Sequence, residues 1–242
     1  MIQSPFRVKI CGVTAPDQIQ PLCQTGIDAI GVNFSGTSAR GIGAAIATKI
    51  SAAKDSSVKL VGIFVNEPID RIVELVSSVP LDLVQLHGDE SWEDYQALAE
   101  RIGSAKIIRA CRLKQSRWDV AQQFAQRSVN ANLVPAAILV DSQVAKQYGG
   151  TGKRLDWNKL EQRPAPLDRI PLILAGGLTP SNVAQAIRQV QPDSVDTAGG
   201  VESMIGMKDI ELVRQFAEQA RWGWSPNPSV SPTGHFPQTF GV

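Results

Sequence analysis

A thiol, a carboxyl, two glycine pairs and a guanidinium stand where this sequence could use them for chemistry. Cys11 closes the run Val8-Lys9-Ile10-Cys11 and is followed at once by Gly12. The thiol therefore sits at the carboxyl end of a short strand, where the backbone must turn. Asp141 closes Ile138-Leu139-Val140-Asp141 in the same way. A thiolate and a carboxylic acid on opposite sides of a small molecule form a base and acid pair. Gly176-Gly177 and Gly199-Gly200, each after an apolar run, leave backbone N–H groups unshielded, which suits a phosphate. Arg40, in Ser38-Ala39-Arg40-Gly41, offers a planar fork for a carboxylate. His87 and Asp196 also end apolar runs. Each has a plain alternative: a strand-end cysteine can be core filler, Asp141 can belong to a buried pair, His87 can brace its loop, and a loop arginine can be solvated. Cys111, at the end of Lys106-Ile107-Ile108-Arg109-Ala110-Cys111, is the rival thiol, but no strand-ending glycine follows it.

Positioning these residues requires a repeating frame, and the chain supplies one. Eight apolar runs, centred near residues 9, 31, 62, 85, 108, 139, 173 and 195, alternate with segments of helical spacing. Helices are expected over about 15–25, from Ala44 to Ala53, from Pro68, over 91–102, 116–127 and 156–161, from Thr179-Pro180, and over 208–220. Gly26 is a helix stop, and Ser91 with Asp94 makes a capping box. This rhythm predicts an α/β fold, a single (β/α)₈ TIM barrel over residues 1–221, with near-continuous apolar strands covered on both faces. A doubly wound open sheet is the competing arrangement, but its first turn would carry a glycine-rich phosphate loop where this chain has Cys11-Gly12. Residues 222–242 are rich in Pro, Ser, Gly and Thr and are expected to form a poorly ordered tail, with His235 in it and outside the chemistry. In such a barrel the site lies at the carboxyl ends of the strands, and strands one and six nearly face each other.

Composition narrows the function. Apolar residues are 43% of 242, charged residues 19%, and the formal net charge is +1 with no long basic run. Nucleic acid and acidic membranes are therefore not expected partners, and an anionic ligand must be held by a local site. The three cysteines, Cys11, Cys23 and Cys111, are widely spaced and only two histidines are present. That excludes a disulfide framework, gives no metal site, and points to the cytoplasm. Cys23 lies on an apolar helix face and is expected to be core.

The motifs together resemble the N-(5′-phosphoribosyl)anthranilate isomerases of tryptophan biosynthesis. Those that match are Lys9-Ile10-Cys11-Gly12, Gln85-Leu86-His87-Gly88, Ile138-Leu139-Val140-Asp141, Tyr148-Gly149-Gly150-Thr151-Gly152 through Asp156-Trp157, Leu174-Ala175-Gly176-Gly177-Leu178, and Gly200-Val201-Glu202 with Lys208-Asp209. The resemblance spans about residues 7–220. It implies a cofactor-free Amadori rearrangement of a phosphorylated small molecule by a monomer or homodimer. Asp141 would protonate the furanose ring oxygen and Cys11 would take the proton from the sugar C2. Arg40 would hold the anthranilate carboxylate, with His87 and Asp196 also on the substrate. Gly176, Gly177, Ala198, Gly199 and Gly200 would cradle the phosphate. Two departures stand out. The family usually reads S-P-R where this chain has Ser38-Ala39-Arg40, which is expected to loosen the Arg40 loop. It commonly reads D-V-S-S-G where this chain has Asp196-Thr197-Ala198-Gly199-Gly200, losing two hydroxyls and about 1–2 kcal/mol of phosphate binding if nothing replaces them. The alternatives are a barrel of this family that keeps the phosphate site without turnover, and a related sugar-phosphate isomerase. Histidine-pathway relatives would carry an aspartate at the position of Cys11, which disfavours the latter.

Overall fold

A computed structural model describes residues 3–142 and 155–226. Eight strands, β1 (Val8–Cys11), β2 (Ala29–Asn33), β3 (Lys59–Phe64), β4 (Leu83–Leu86), β5 (Ile107–Leu113), β6 (Ala137–Ser142), β7 (Leu172–Leu174) and β8 (Ser194–Thr197), run parallel and close in sequence order. The seam is the pairing of β8 with β1, where Lys9 stands opposite Asp196. The expected barrel is the observed one.

Side-chain alternation splits each strand between two cores. Ala29, Val61, Leu83, Ile108, Ala110, Ala137, Leu139 and Ile173 form the interior cluster. Val8, Ile10, Ile30, Val140, Leu172 and Val195 face outward into the larger layer under the helices. Parity thereby settles the choice between the two strand-end thiols. Cys111 falls on the outward set and is core filler, whereas Cys11 follows Lys9 on the interior face. Cys23 is partly buried against the outer layer, as expected.

Helices α1 (Ile19–Cys23), α2 (Ala44–Ala53), α3 (Ile69–Ser78), α4 (Trp92–Ile102), α5 (Asp119–Asn130), α6 (Val183–Val190) and α7 (Ile210–Trp224) cover the barrel. The Ser91–Asp94 capping box opens α4. Four boundaries ahead of the last helix differ from the pattern-based expectation. A 3₁₀ turn over Pro16–Gln18 precedes the short α1. Gln115 and Ser116 have positive φ, so α5 cannot begin there and starts at Asp119. Asn182 accepts from the Thr179 N–H and donates to the Gly177 carbonyl, making Thr179-Pro180 a turn ahead of α6. The segment near 156–161 is a 3₁₀ turn, Trp157–Leu160. The loop motif Tyr148–Lys153 lies outside the described residues.

The last helix runs past Arg221, so the change of composition at residue 222 does not mark its end. Arg188 lies 3.7 Å over the Trp222 ring, and Arg7 lies 4.8 Å over that of Trp224. Trp224 Nε1 donates to the Pro192 carbonyl at 2.9 Å. Gly223 faces α6, where even a methyl group would meet Ile187 Cβ at 3.0 Å. The indoles dock because each buries a large apolar ring and meets a cation, and Trp224 also satisfies its N–H. His235 and the rest of the chain beyond 226 lie outside the described residues. Trp224→Ala is expected to lower stability by about 2 kcal/mol through lost ring burial and the lost hydrogen bond, measured by urea unfolding. A change under about 0.5 kcal/mol, the size usual for uninvolved surface sites, would show that this contact contributes nothing.

Candidate active site

Strand alternation that hides Cys111 brings four other residues inward together. Cys11 (β1), His87 (just after β4), Asp141 (β6) and Asp196 (β8) line one cavity of about 390 Å³ at the carboxyl ends of the strands. The remaining wall includes Gly176, Gly177, Ala198, Gly199 and Gly200. A larger cavity of about 750 Å³ opens near the amino ends of the strands, and several of its charged groups are already engaged. Arg163 pairs with Asp193, and Asp28 accepts the N–H groups of Arg7 and Val8. The cavity at the carboxyl ends is the one that gathers reactive groups.

The glycine wall is set by backbone geometry. Gly176 and Gly177 have φ of +89° and +66°, which side-chain-bearing residues rarely adopt. Gly200 lies so close to Leu178 that any Cβ would run into its carbonyl oxygen. Thr197 Oγ1 donates to the same carbonyl at 2.7 Å, tying the loop after β8 to the loop after β7. A single 3₁₀ turn, Gly199–Val201, follows β8.

His87 is held from two sides. Its Nδ1 lies 2.6 Å from Gln85 Nε2, two residues back on the same interior face. Its Nε2 stands 3.6 Å from Asp141 Oδ2, beyond hydrogen-bond length but close enough for charge interaction. Buried Glu90 pins the turn by accepting the N–H groups of Asn66 and Gly88 and pairing with Arg109. His87 thus belongs to the cavity while its loop is braced by other residues.

Arg40 is placed differently from a free fork over the barrel mouth. Its Nε and Nη2 donate to the two carboxylate oxygens of Glu202 at 2.8 and 2.6 Å. Glu202 opens a small hairpin of β9 (Glu202–Met204) and β10 (Met207–Lys208) that the sequence pattern did not reveal. Lys208 donates to the same carboxylate at 2.6 Å and to the Ala198 carbonyl at 3.1 Å. The Arg40 loop is braced without the proline. Gly41 N–H donates to Ser38 O at 2.9 Å, Arg40 N–H donates to Ser38 Oγ at 3.2 Å, and Gly41 forms a bridge with Asn33. The Arg40 side chain lies across Gly12, a positive-φ glycine at which a Cβ would collide with it.

Beneath the cavity, fully buried Lys9 donates to Asp196 Oδ1 at 2.8 Å. Lys9, Glu202 and Lys208 were not singled out from the sequence. One signal was available for Lys9: a lysine in mid-strand, two residues before Cys11, must point inward and find a partner. Burial pushes the Cys11 thiol above its ordinary range, with Lys9 pulling it back down and Asp196 adding to the rise. Burial also opposes the Lys9 charge, yet Asp196 and Cys11 outweigh it and hold the ammonium above its usual value. Glu202 moves the other way: burial favours its protonation, but the hydrogen bonds from Arg40 and Lys208 win and lower it.

The family model for N-(5′-phosphoribosyl)anthranilate (PRA) isomerase matches residues 8–219. The chain belongs to that family. It is 39% identical over 215 residues to the N-(5′-phosphoribosyl)anthranilate isomerase of Pseudomonas aeruginosa strain UCBPP-PA14, covering 89% of this chain and 95% of that one. The Acinetobacter calcoaceticus isomerase is 38% identical over 217 residues, covering 90% and 97%. Among solved structures, phosphoribosyl anthranilate isomerase from Thermotoga maritima superposes with a TM-score of 0.76 at 35% identity, covering 89% and 98%. A phosphoribosyl anthranilate isomerase in complex with reduced 1-(o-carboxyphenylamino)-1-deoxyribulose 5-phosphate gives 0.73 at 33% identity, with the same coverage.

The direction of the Glu202 shift has a consequence for stability. A carboxyl lowered in the folded state stabilises above its unfolded value, about 4.3 for glutamate, and the gain is lost as pH falls through the folded value. Glu202→Gln should therefore be less stable than the native chain at pH 7, with the gap closing below about pH 4. Urea unfolding at pH 7 and pH 3 measures it. A gap of the same size at both would show that ionised Glu202 is not its source.

Proposed function

We propose that this barrel converts N-(5′-phosphoribosyl)anthranilate to 1-(2-carboxyphenylamino)-1-deoxyribulose 5-phosphate, with Asp141 as general acid and Cys11 as general base. The observation that carries this reading is the placement of Cys11 and Asp141 on one cavity whose other wall is built from the two glycine pairs. An acid and a base at a phosphate-sized glycine wall match a sugar-phosphate proton transfer, and the family supplies the substrate.

The steps balance without an oxidant. Asp141 gives its proton to the furanose ring oxygen while the amine lone pair forms a C1=N bond and the C1–O bond breaks. The resulting iminium acidifies the C2 proton, which the Cys11 thiolate removes, and the C2–H electrons become a C1=C2 bond as the nitrogen regains its pair. The enol hydroxyl then releases its proton while C1 accepts one, leaving a ketone at C2 and a secondary amine. A thiol suffices as base because the iminium charge already eases proton removal. Asp196 would approach the sugar hydroxyls or the amine, His87 would also meet the substrate, and the backbone of Gly176, Gly177, Ala198, Gly199 and Gly200 would bind the phosphate. Arg40 would meet the anthranilate carboxylate through its remaining amino group or by exchanging Glu202 for the substrate. The reading includes a cytoplasmic enzyme acting as monomer or homodimer. Among the described residues no helix is long and apolar enough to cross a membrane.

The occupied Arg40 fork favours one second reading, a phosphate-binding barrel without turnover. The discriminating experiment is the isomerase assay on purified protein, monitored as loss of the substrate's anthranilate fluorescence. Turnover is expected, with Cys11→Ser and Asp141→Asn each reducing kcat by about 10²–10⁴. Binding of a phosphate ester with no product would favour the second reading, and full activity in both variants would remove these two residues from their roles. Because the base must be deprotonated and burial raises the thiol, kcat/KM should climb as pH rises from 7 into the alkaline range. A profile flat from pH 6 to 10 would contradict a thiol base.

A further inference from the structure

Lys9 is a fully buried cation beneath the site that the proposed steps do not use. It sits on β1 with the parity of Cys11, one interior layer below it, and opposite Asp196 across the β1–β8 seam. An ammonium has three N–H groups. One goes to Asp196 Oδ1 at 2.8 Å, and the charge also acts on the Cys11 sulfur. As a stability device the pair is a poor one, since an apolar pair of similar volume often serves as well or better. Its position makes sense as electrostatics aimed upward. We infer that Lys9 is a positioning residue of the reaction: its buried ammonium orients the Cys11 sulfur and favours its anionic form, while Asp196 limits how far.

Of the other cations near Cys11, Lys208 also favours the thiolate, but less than Lys9 does. Lys208, on β10, is engaged with Glu202 and the Ala198 carbonyl. Arg40, from the loop after β2, is forked onto the same Glu202. Asp196, on β8, opposes the thiolate, and His87 and Asp141 face each other across the cavity they share with it. Among these three cations, Lys9 alone shares the strand and the interior face of Cys11.

This inference rests on Cys11 being the base, so its test reads the thiol separately from turnover. The rate of Cys11 alkylation by iodoacetamide is followed against pH on the full chain, by mass spectrometry of the Cys11 peptide, which keeps Cys23 and Cys111 apart. Asp196→Asn frees Lys9 for the sulfur, and its alkylation midpoint should fall by about one pH unit. Lys9→Met combined with Asp196→Asn removes both charges without stranding either, and its midpoint should rise by about one unit above the native chain. Should that double variant fail to fold, Lys9→Met with Asp196→Leu, which leaves neither a charge nor an unpaired polar group in the seam, takes its place with the same expected rise. A native midpoint in either folded variant overturns the inference. The pH–rate profile of kcat/KM should move with the alkylation midpoint in each variant. Alkylation that shifts while the rate profile stays fixed would overturn Cys11 as the base, and with it the part of Lys9 in the reaction.

Discussion

The ion pair at the seam of the barrel, Lys9 on β1 against Asp196 on β8, is where fold and site meet. The two residues stand opposite each other in the register that joins the first strand to the last. Their side chains are almost completely out of solvent, so neither charge has water to fall back on. Stranding one of two such charges costs about 3–5 kcal/mol, far more than the pair contributes over an apolar replacement. The seam therefore tolerates both charges or neither. Closing it in this register puts Cys11 one layer above the pair and brings the end of β1 against the glycine-rich loops that follow β7 and β8. Without closure, the thiol and the glycine wall would lie at opposite edges of an open sheet.

A second charged cluster works at the rim. Glu202 gathers Arg40 from the loop after β2 and Lys208 from the hairpin beyond β8. Lys208 in turn reaches the Ala198 carbonyl. One carboxylate thus braces the Arg40 guanidinium and links it to the loop that forms part of the glycine wall. The bracing also answers for the two departures in this chain. Ala39 replaces a proline, but local hydrogen bonds hold the loop. Ala198 and Gly199 replace hydroxyl residues, but Thr197 and Gly200 still lock that loop against Leu178. Bidentate pairing to an internal carboxylate keeps the guanidinium oriented at the cost of leaving its fork filled.

The barrel, its eight strands and the strand-end position of Cys11, His87, Asp141 and Asp196 were legible in the sequence. Those features follow from local causes: apolar runs of strand length, breaks at glycine, and a side-chain alternation of two. The same alternation, carried through, separates Cys11 from Cys111, because the two thiols fall on opposite faces of their strands. Helix boundaries were less legible where backbone conformation depends on distant partners. Ser116 takes a positive φ while its hydroxyl accepts the Asp156 N–H, and Asn182 turns the chain ahead of α6 by bonding both Thr179 and Gly177. Trp222 and Trp224 read as the start of a tail because their partners, Arg188, Arg7 and the Pro192 carbonyl, lie elsewhere in the chain.

What tertiary structure alone decided is which charges meet. Lys9 and Asp196 are 187 residues apart, and Arg40 and Glu202 are 162 apart. No local pattern couples residues at such separations, since only closure of the sheet sets their distance. The sequence by itself determined that this is a barrel of the isomerase family with a thiol and a carboxyl at its rim. The folded chain decided that the lysine below the thiol pairs with Asp196 and that the arginine is held by a glutamate, because a charge removed from water must take whatever partner the closed barrel provides.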